Sequence, residues 1–158
     1  MTEAQTLVRQ IRAIIDRTIE RLEGLDEAQL NRVPALDGAN SPYVIAVHVL
    51  GNARAWVLGI AAGQPLHRDR PAEFASSGKP IDLRHLWAEL APELERAVEG
   101  LKPGALERRL VPSNELWGEG VPHEVSVREA LLHVVEHASI HLGQLQVTLD
   151  LMKGEAGR

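Results

Sequence analysis

The chain has 158 residues, 44% of them hydrophobic, and its 17 Lys and Arg against 22 Asp and Glu give a net charge of -5. That length suits one domain, residues 1–158, able to bury a core without disulfide staples. Cysteine is absent, which excludes thiolate metal sites and cysteine nucleophiles, and no basic cluster is dense enough to neutralise a phosphate backbone, so nucleic acid is not an expected partner.

The N-terminus, Met1 to Gln5, lacks the charged and apolar regions of a signal peptide. With no cysteine to oxidise, a cytoplasmic location is expected. The first helix is predicted from about Glu3 to Glu23, where Leu7, Ile11, Ile14, Ile15, Thr18 and Leu22 recur at three- and four-residue spacing, and Gly24 is a natural stop. A connector from Leu25 to Asn40 holds a short turn at Asp26–Leu30 and breakers at Pro34 and Gly38. Ser41 and Pro42 then read as cap and first residue of a second helix reaching Ala62.

That second helix is apolar nearly all round, which predicts burial on most sides, with a subunit interface as one source of cover. It raises the question of a membrane span. Arg54, Asn52 and His48 lie within it, and a central arginine costs about 2.5–3.5 kcal/mol on insertion scales, so a buried bundle helix is the better reading. The segment Gly63–Pro80 is rich in Gly, Pro, Ser and charge and reads as a loop. A third helix is expected after an Asp82 cap, ending near Gly100, with a kink or interruption at Pro92. Residues Leu101–Val125 form a long irregular connection holding Trp117 and His123, of the kind that often covers a site. The fourth helix opens on the capping box Ser126-Val127-Arg128-Glu129 and runs to about Met152. No segment shows the period-two alternation of a strand, so the fold expected is an all-α four-helix bundle with long connecting loops.

Histidines carry the chemistry. His133, His137 and His141 follow one another at four-residue spacing on the fourth helix, and His48 sits inside the apolar second helix. At about 100° per residue, His141 falls about 20° and His137 about 60° from the centre of the apolar stripe, while His133 falls about 100° away. His141 is therefore expected deep, His137 beside it, and His133 at the surface or behind the site. On the second helix His48 shares a face with Val44, Gly51, Asn52, Ala55 and Gly59, a face short on bulk that either lets another helix approach closely or leaves a hollow beside His48.

A lone core histidine is satisfied by a backbone carbonyl, and the His-x-x-x-His spacing also arises on surface helices. Several buried imidazoles without an ion or proton partner are costly, however. A metal site between the two helices is the alternative. His67, His85 and His123 read as surface or loop residues, and His123 lies in a segment that can fold over the site. Trp56 and Trp87 read as core aromatics and Trp117 as a loop anchor or pocket cover. Arg54 reads as a surface ion pair or a holder for a substrate carboxylate.

These residues together resemble the DinB-like superfamily, the DinB/YfiT-like metal-binding bundles. The matching stretches are Gly24–Leu30 with Pro34, Ser41 through His48 to Trp56, and Val135-Glu136-His137-Ala138-Ser139-Ile140-His141-Leu142-Gly143-Gln144, whose His-x-x-x-His-x-Gly-Gln is the most specific part. The resemblance implies an up-down-down-up bundle, commonly a homodimer, with a divalent metal on His48, His137 and His141. It implies a thiol S-transferase in which the metal activates a low-molecular-weight thiol such as bacillithiol, mycothiol or glutathione, acting on a small-molecule substrate. The related mycothiol-dependent maleylpyruvate isomerases carry a glutamate among their ligands, where this chain offers histidines alone. Zinc fits the imidazole set, as do nickel, iron and manganese. Asn52, Gln144, His133, Arg54 and Trp117 are the candidates for backing the ligands or lining the pocket, and Asn52, Gln144 and Glu136 for fixing a ligand's other ring nitrogen. The rival readings are a metal-dependent hydrolase, short of a carboxylate on the two facing helices, and a non-catalytic metal- or ligand-binding dimer of a bacterial stress response.

Overall fold

The computed structural model describes residues 1–156. Helix α1 spans Glu3–Glu20, and the backbone then turns through Gly24, whose φ of 86° favours glycine. Asp26 caps the short α2, Glu27–Asn31, by accepting from the Gln29 N–H. Ser41 caps α3, Pro42–Ala53, which continues without a break as a π-helical stretch, Arg54–Ala61. The segment expected to be loop contains α4, Arg70–Phe74, capped by Asp69. Helix α5 spans Pro80–Glu99; Asp82 lies inside its first turn rather than before it and accepts the Lys79 N–H at 2.7 Å. The helix runs through Pro92 uninterrupted, because the Ala88 carbonyl that loses its partner lies on the exposed face.

The long connection is more ordered than its sequence suggests. It holds a 3₁₀ turn, Ala105–Glu107, then β1, Arg109–Leu110, helix α6, Asn114–Trp117, and β2, Val125–Ser126. The two short strands pair antiparallel, Arg109 with Ser126 and Leu110 with Val125, where no strand was expected. Helix α7 then spans Val127–Ala156, and its capping box is formed: Glu129 accepts the Ser126 N–H at 2.6 Å while its own N–H donates to Ser126 Oγ at 3.1 Å.

Cross-helix contacts set the topology. Arg128 at the start of α7 meets Glu3 at the start of α1, and Arg21 just past α1 meets Gln146 far along α7, so the first and last long helices run parallel. Arg12 binds Glu95 and the Trp87 indole donates to Asp16, so α5 runs against α1. His48 lies by His137 and Asn52 by His133, so the α3 helix with its π extension runs against α7. The order is up-down-down-up. Ile11, Ile15, Ile45, Ile60, Leu83, Leu94, Leu131 and Leu145 fill the centre, each almost wholly removed from water, worth about 1.5–3 kcal/mol apiece before the chain entropy is charged against it.

The span Pro42–Ala61 is long and apolar enough to cross a membrane, yet 83% of its apolar 18-residue window is buried inside the fold. Its all-round hydrophobicity is therefore answered within one chain, by α5, α7 and the short helices α2, α4 and α6 packed on it, and does not require a subunit interface.

Candidate metal centre

His48 points from α3 at the face of α7 that carries His137 and His141, and one nitrogen from each of the three rings lies within 4.8 Å of the others. His48 is buried and the other two are half-buried. His141 is thus no deeper than His137. The Nε2 atoms of His48 and His137 are 3.1 Å apart, and the His48 ring meets that of His141 edge-on with centroids 5.0 Å apart.

The far sides of two rings are fixed. His48 Nδ1 lies 2.8 Å from Glu73 Oε2 and His141 Nδ1 lies 2.6 Å from Gln144 Oε1. A carboxylate and an amide oxygen only accept, so both rings carry hydrogen on Nδ1 and turn an Nε2 lone pair inward. His137 Nδ1 is buried with no partner at all.

Burial, followed by the neighbouring imidazoles and Arg68, pushes the His137 pKa down to about 2. Burial likewise lowers His133 and His141, with Gln144 pulling His141 partly back. These rings are neutral at physiological pH and free to donate lone pairs.

The donor set fits a divalent cation. At zinc–nitrogen distances of about 2.0–2.1 Å, ligand nitrogens sit no more than about 4.2 Å apart, so the cluster needs only a small closing movement. Three imidazole nitrogens also leave a coordination position for another molecule.

Beside the histidines opens a cavity of about 550 Å³, walled by Asn52, Trp56, Arg68, Arg70, Trp117 and His133 among others. His133 stacks on Trp56 with centroids 3.7 Å apart, and its Nε2 meets Asn52 Nδ2 at 3.3 Å. It therefore faces the cavity rather than the bundle surface, because α7 packs against both α1 and the second helix and so has two inward faces. Trp117 covers the cavity, 5.2 Å from the Trp56 ring, with the exposed His123 edge-on against it at 4.5 Å.

Arg54 is not brought to this cavity. It is exposed and donates to the His67 carbonyl at 3.3 Å, since six residues along the helix turn it away from His48. His67 pairs with Glu115, and His85 is exposed on α5. The hollow expected beside His48 opens on its Asn52 side, where both residues line the cavity, and is closed at Gly51 and Gly59. The Glu73 carboxylate lies where a Gly51 side chain would be, and Leu116 packs on Gly59.

Glu73 and Arg68 join the site although the sequence did not point to them. Arg68 Nε and Nη2 donate to the two Glu73 oxygens at 2.8 and 3.0 Å. Burial alone would raise the Glu73 carboxyl, but the hydrogen bonds from His48 and Arg68 together with the arginine charge hold it below the usual carboxylate range. The available signal was Asp69 as a cap with Pro71 in the first turn, which marks a helix start inside the supposed loop.

A model of the DinB superfamily matches residues 10–145. Two similar solved structures are a mycothiol-dependent maleylpyruvate isomerase, 19% identical with a TM-score of 0.68, and a histidine-to-alanine mutant of it, 18% identical with a TM-score of 0.67. Each alignment covers 91% of this chain and 61% of the other, so the chain spans about three fifths of their length and the likeness is one of fold. No curated protein matches. With the family match extending over most of its length, and with the bundle and histidine cluster described above, the chain belongs to the DinB superfamily.

Proposed function

We propose that the protein is a divalent-metal-dependent thiol S-transferase, with His48, His137 and His141 as ligands and the adjoining cavity as the place where thiol and electrophile meet. The observation that carries this reading is the convergence of three imidazoles, one with an orphaned buried nitrogen and two of them, His48 and His137, on the wall of that cavity. The fold neighbour's dependence on mycothiol adds support for a thiol. A bound divalent cation would supply stabilisation of a thiolate at neutral pH.

The chain's own part is to place and shield the reactants. It has no cysteine, so the nucleophilic sulfur must arrive on a small cosubstrate, and about 550 Å³ accommodates one. Trp56, Trp117 and His133 offer flat apolar walls suited to a planar electrophile. Zinc is the first metal to test. A hydrolase would need a carboxylate free to take a proton. Glu73 is held between His48 and Arg68, while Glu119, Glu124 and Glu129 on the cavity wall are paired with Arg70 and Arg109.

A cytoplasmic homodimer completes the proposal. Its contact would fall on the exposed apolar residues of α7, Ile140, Val147 and Leu151, and a monomeric mass by light scattering would reject it. The test of function is turnover of chlorodinitrobenzene with glutathione, bacillithiol and mycothiol in turn. At least one thiol is expected to support turnover that His141→Ala abolishes; undiminished activity in that variant would overturn the metal-dependent reading.

A further inference from the structure

We propose that Glu73, latched by Arg68, is a positioning residue for the metal centre: it fixes His48 with hydrogen on Nδ1 and Nε2 turned to the ion, making the short helix α4 a working part of the site. The inference rests on the metal reading above and adds the element that orients its ligand.

Three polar side chains meet where water is nearly excluded. The side chains of Arg68, His48 and Glu73 retain 4%, 7% and 9% of their exposure. A buried carboxylate is tolerated only when its lone pairs are taken up, and here both oxygens are engaged: Oε1 by Arg68 Nε, and Oε2 by Arg68 Nη2 and His48 Nδ1. The planar guanidinium fork matches the carboxylate edge-on and sets its orientation. The remaining direction on Oε2 then lines up with the imidazole. Because the arginine neutralises the carboxylate, Glu73 orients His48 without drawing the proton from Nδ1.

The surroundings are shaped for this contact. Gly51 lies one turn beyond His48, and a Cβ there would overlap the Glu73 carboxylate. Phe74, the next residue of α4, covers the His48 ring with centroids 4.8 Å apart. One five-residue helix, started by the Asp69 cap, thus supplies the orienting hydrogen bond and the apolar cover together. An Arg–Glu pair serving only to anchor the loop would need neither the bond to His48 nor the clearance at Gly51.

The test compares wild type with Glu73→Asp, which keeps the charge but falls short of His48, and with the double variant Glu73→Leu, Arg68→Met, which removes both buried charges and the acceptor together. Zinc affinity is measured by competition with a chromophoric chelator, cobalt(II) visible spectra report ligand geometry, and the His48 tautomer in the metal-free protein is read from its ring ¹⁵N shifts. Folding is checked by circular dichroism. Folded variants should lose about 10–100-fold in affinity while keeping one metal per chain, with altered cobalt bands and a loss of the single Nδ1–H tautomer. A folded variant that binds zinc as tightly as wild type and keeps that tautomer overturns the proposal. If wild type itself takes up no metal, the functional reading fails, and the ¹⁵N shifts still decide whether Glu73 fixes His48.

Discussion

The two long seams of the bundle are built from opposite materials. Where α1 meets α5 and α7, the interior is aliphatic, with Ile11, Ile15, Leu94 and Leu131 sealed from water, and polar pairs such as Arg12–Glu95 and Trp87–Asp16 stay at the rim. Thr18, the buried hydroxyl of α1, is satisfied by the Ile14 carbonyl. Where the second helix meets α7, imidazoles, an amide and an indole share the interface. Among the described residues, every buried side-chain polar atom without a hydrogen-bond partner lies on that side: Asn52 Oδ1, Trp56 Nε1 and His137 Nδ1. Unpaired buried groups cost about 1–3 kcal/mol each, so stability is stored in one seam and spent in the other. Such spending is characteristic of sites kept for chemistry.

Variants in the two seams should therefore behave in opposite ways. The largest effect is expected in the aliphatic seam: Ile15→Ala should lower unfolding free energy by about 2–5 kcal/mol in urea titrations, while leaving the metal content of the folded protein unchanged. Loss of metal there would show that the seams are not independent.

Acidification probes the other side. The metal-free protein holds His133, His137 and His141 below their ordinary 6.5, so below pH 6.5 the unfolded chain binds protons that the folded one refuses. Stability is then fully present above that pH and falls as pH drops from 6.5 toward the folded values. Thermal melts of chelated protein between pH 7.5 and pH 4.5 (roughly one unit above and two below that value) should show it, and a flat profile would contradict neutral buried rings.

A smaller change of opposite sign is expected from Asn52→Leu. Replacing an amide whose oxygen is unpaired by an apolar side chain of the same shape should raise stability by about 1 kcal/mol and leave metal content intact while turnover declines. A stability loss would mean that the Asn52 contact with His133 outweighs its unpaired oxygen. Least of all, Arg12→Gln should cost under about 1 kcal/mol, because its pair with Glu95 is exposed and screened.

The aliphatic seam was legible in the sequence, since α1 repeats its apolar residues at helical spacing and α7 opens on a capping box. The four-residue spacing of His137 and His141 and the buried His48 were legible too. Glu73 and Arg68 were not, because their roles come from a five-residue helix folding back on α3, and no periodicity survives at that length. His133 was legible as a pocket candidate, while the surface alternative came from taking one apolar stripe as the only inward direction of a helix that has two. The π-helical stretch, which sets Trp56 against the cavity, leaves no signature in composition.

The most direct measurement is elemental analysis of untagged protein, wild type against the His137→Ala, His141→Ala double variant, with both shown to be folded. The expected result is close to one divalent ion per wild-type chain and none in the variant. Wild type that remains metal-free after reconstitution, or a variant that keeps its ion, would contradict a metal centre at the His48, His137 and His141 cluster.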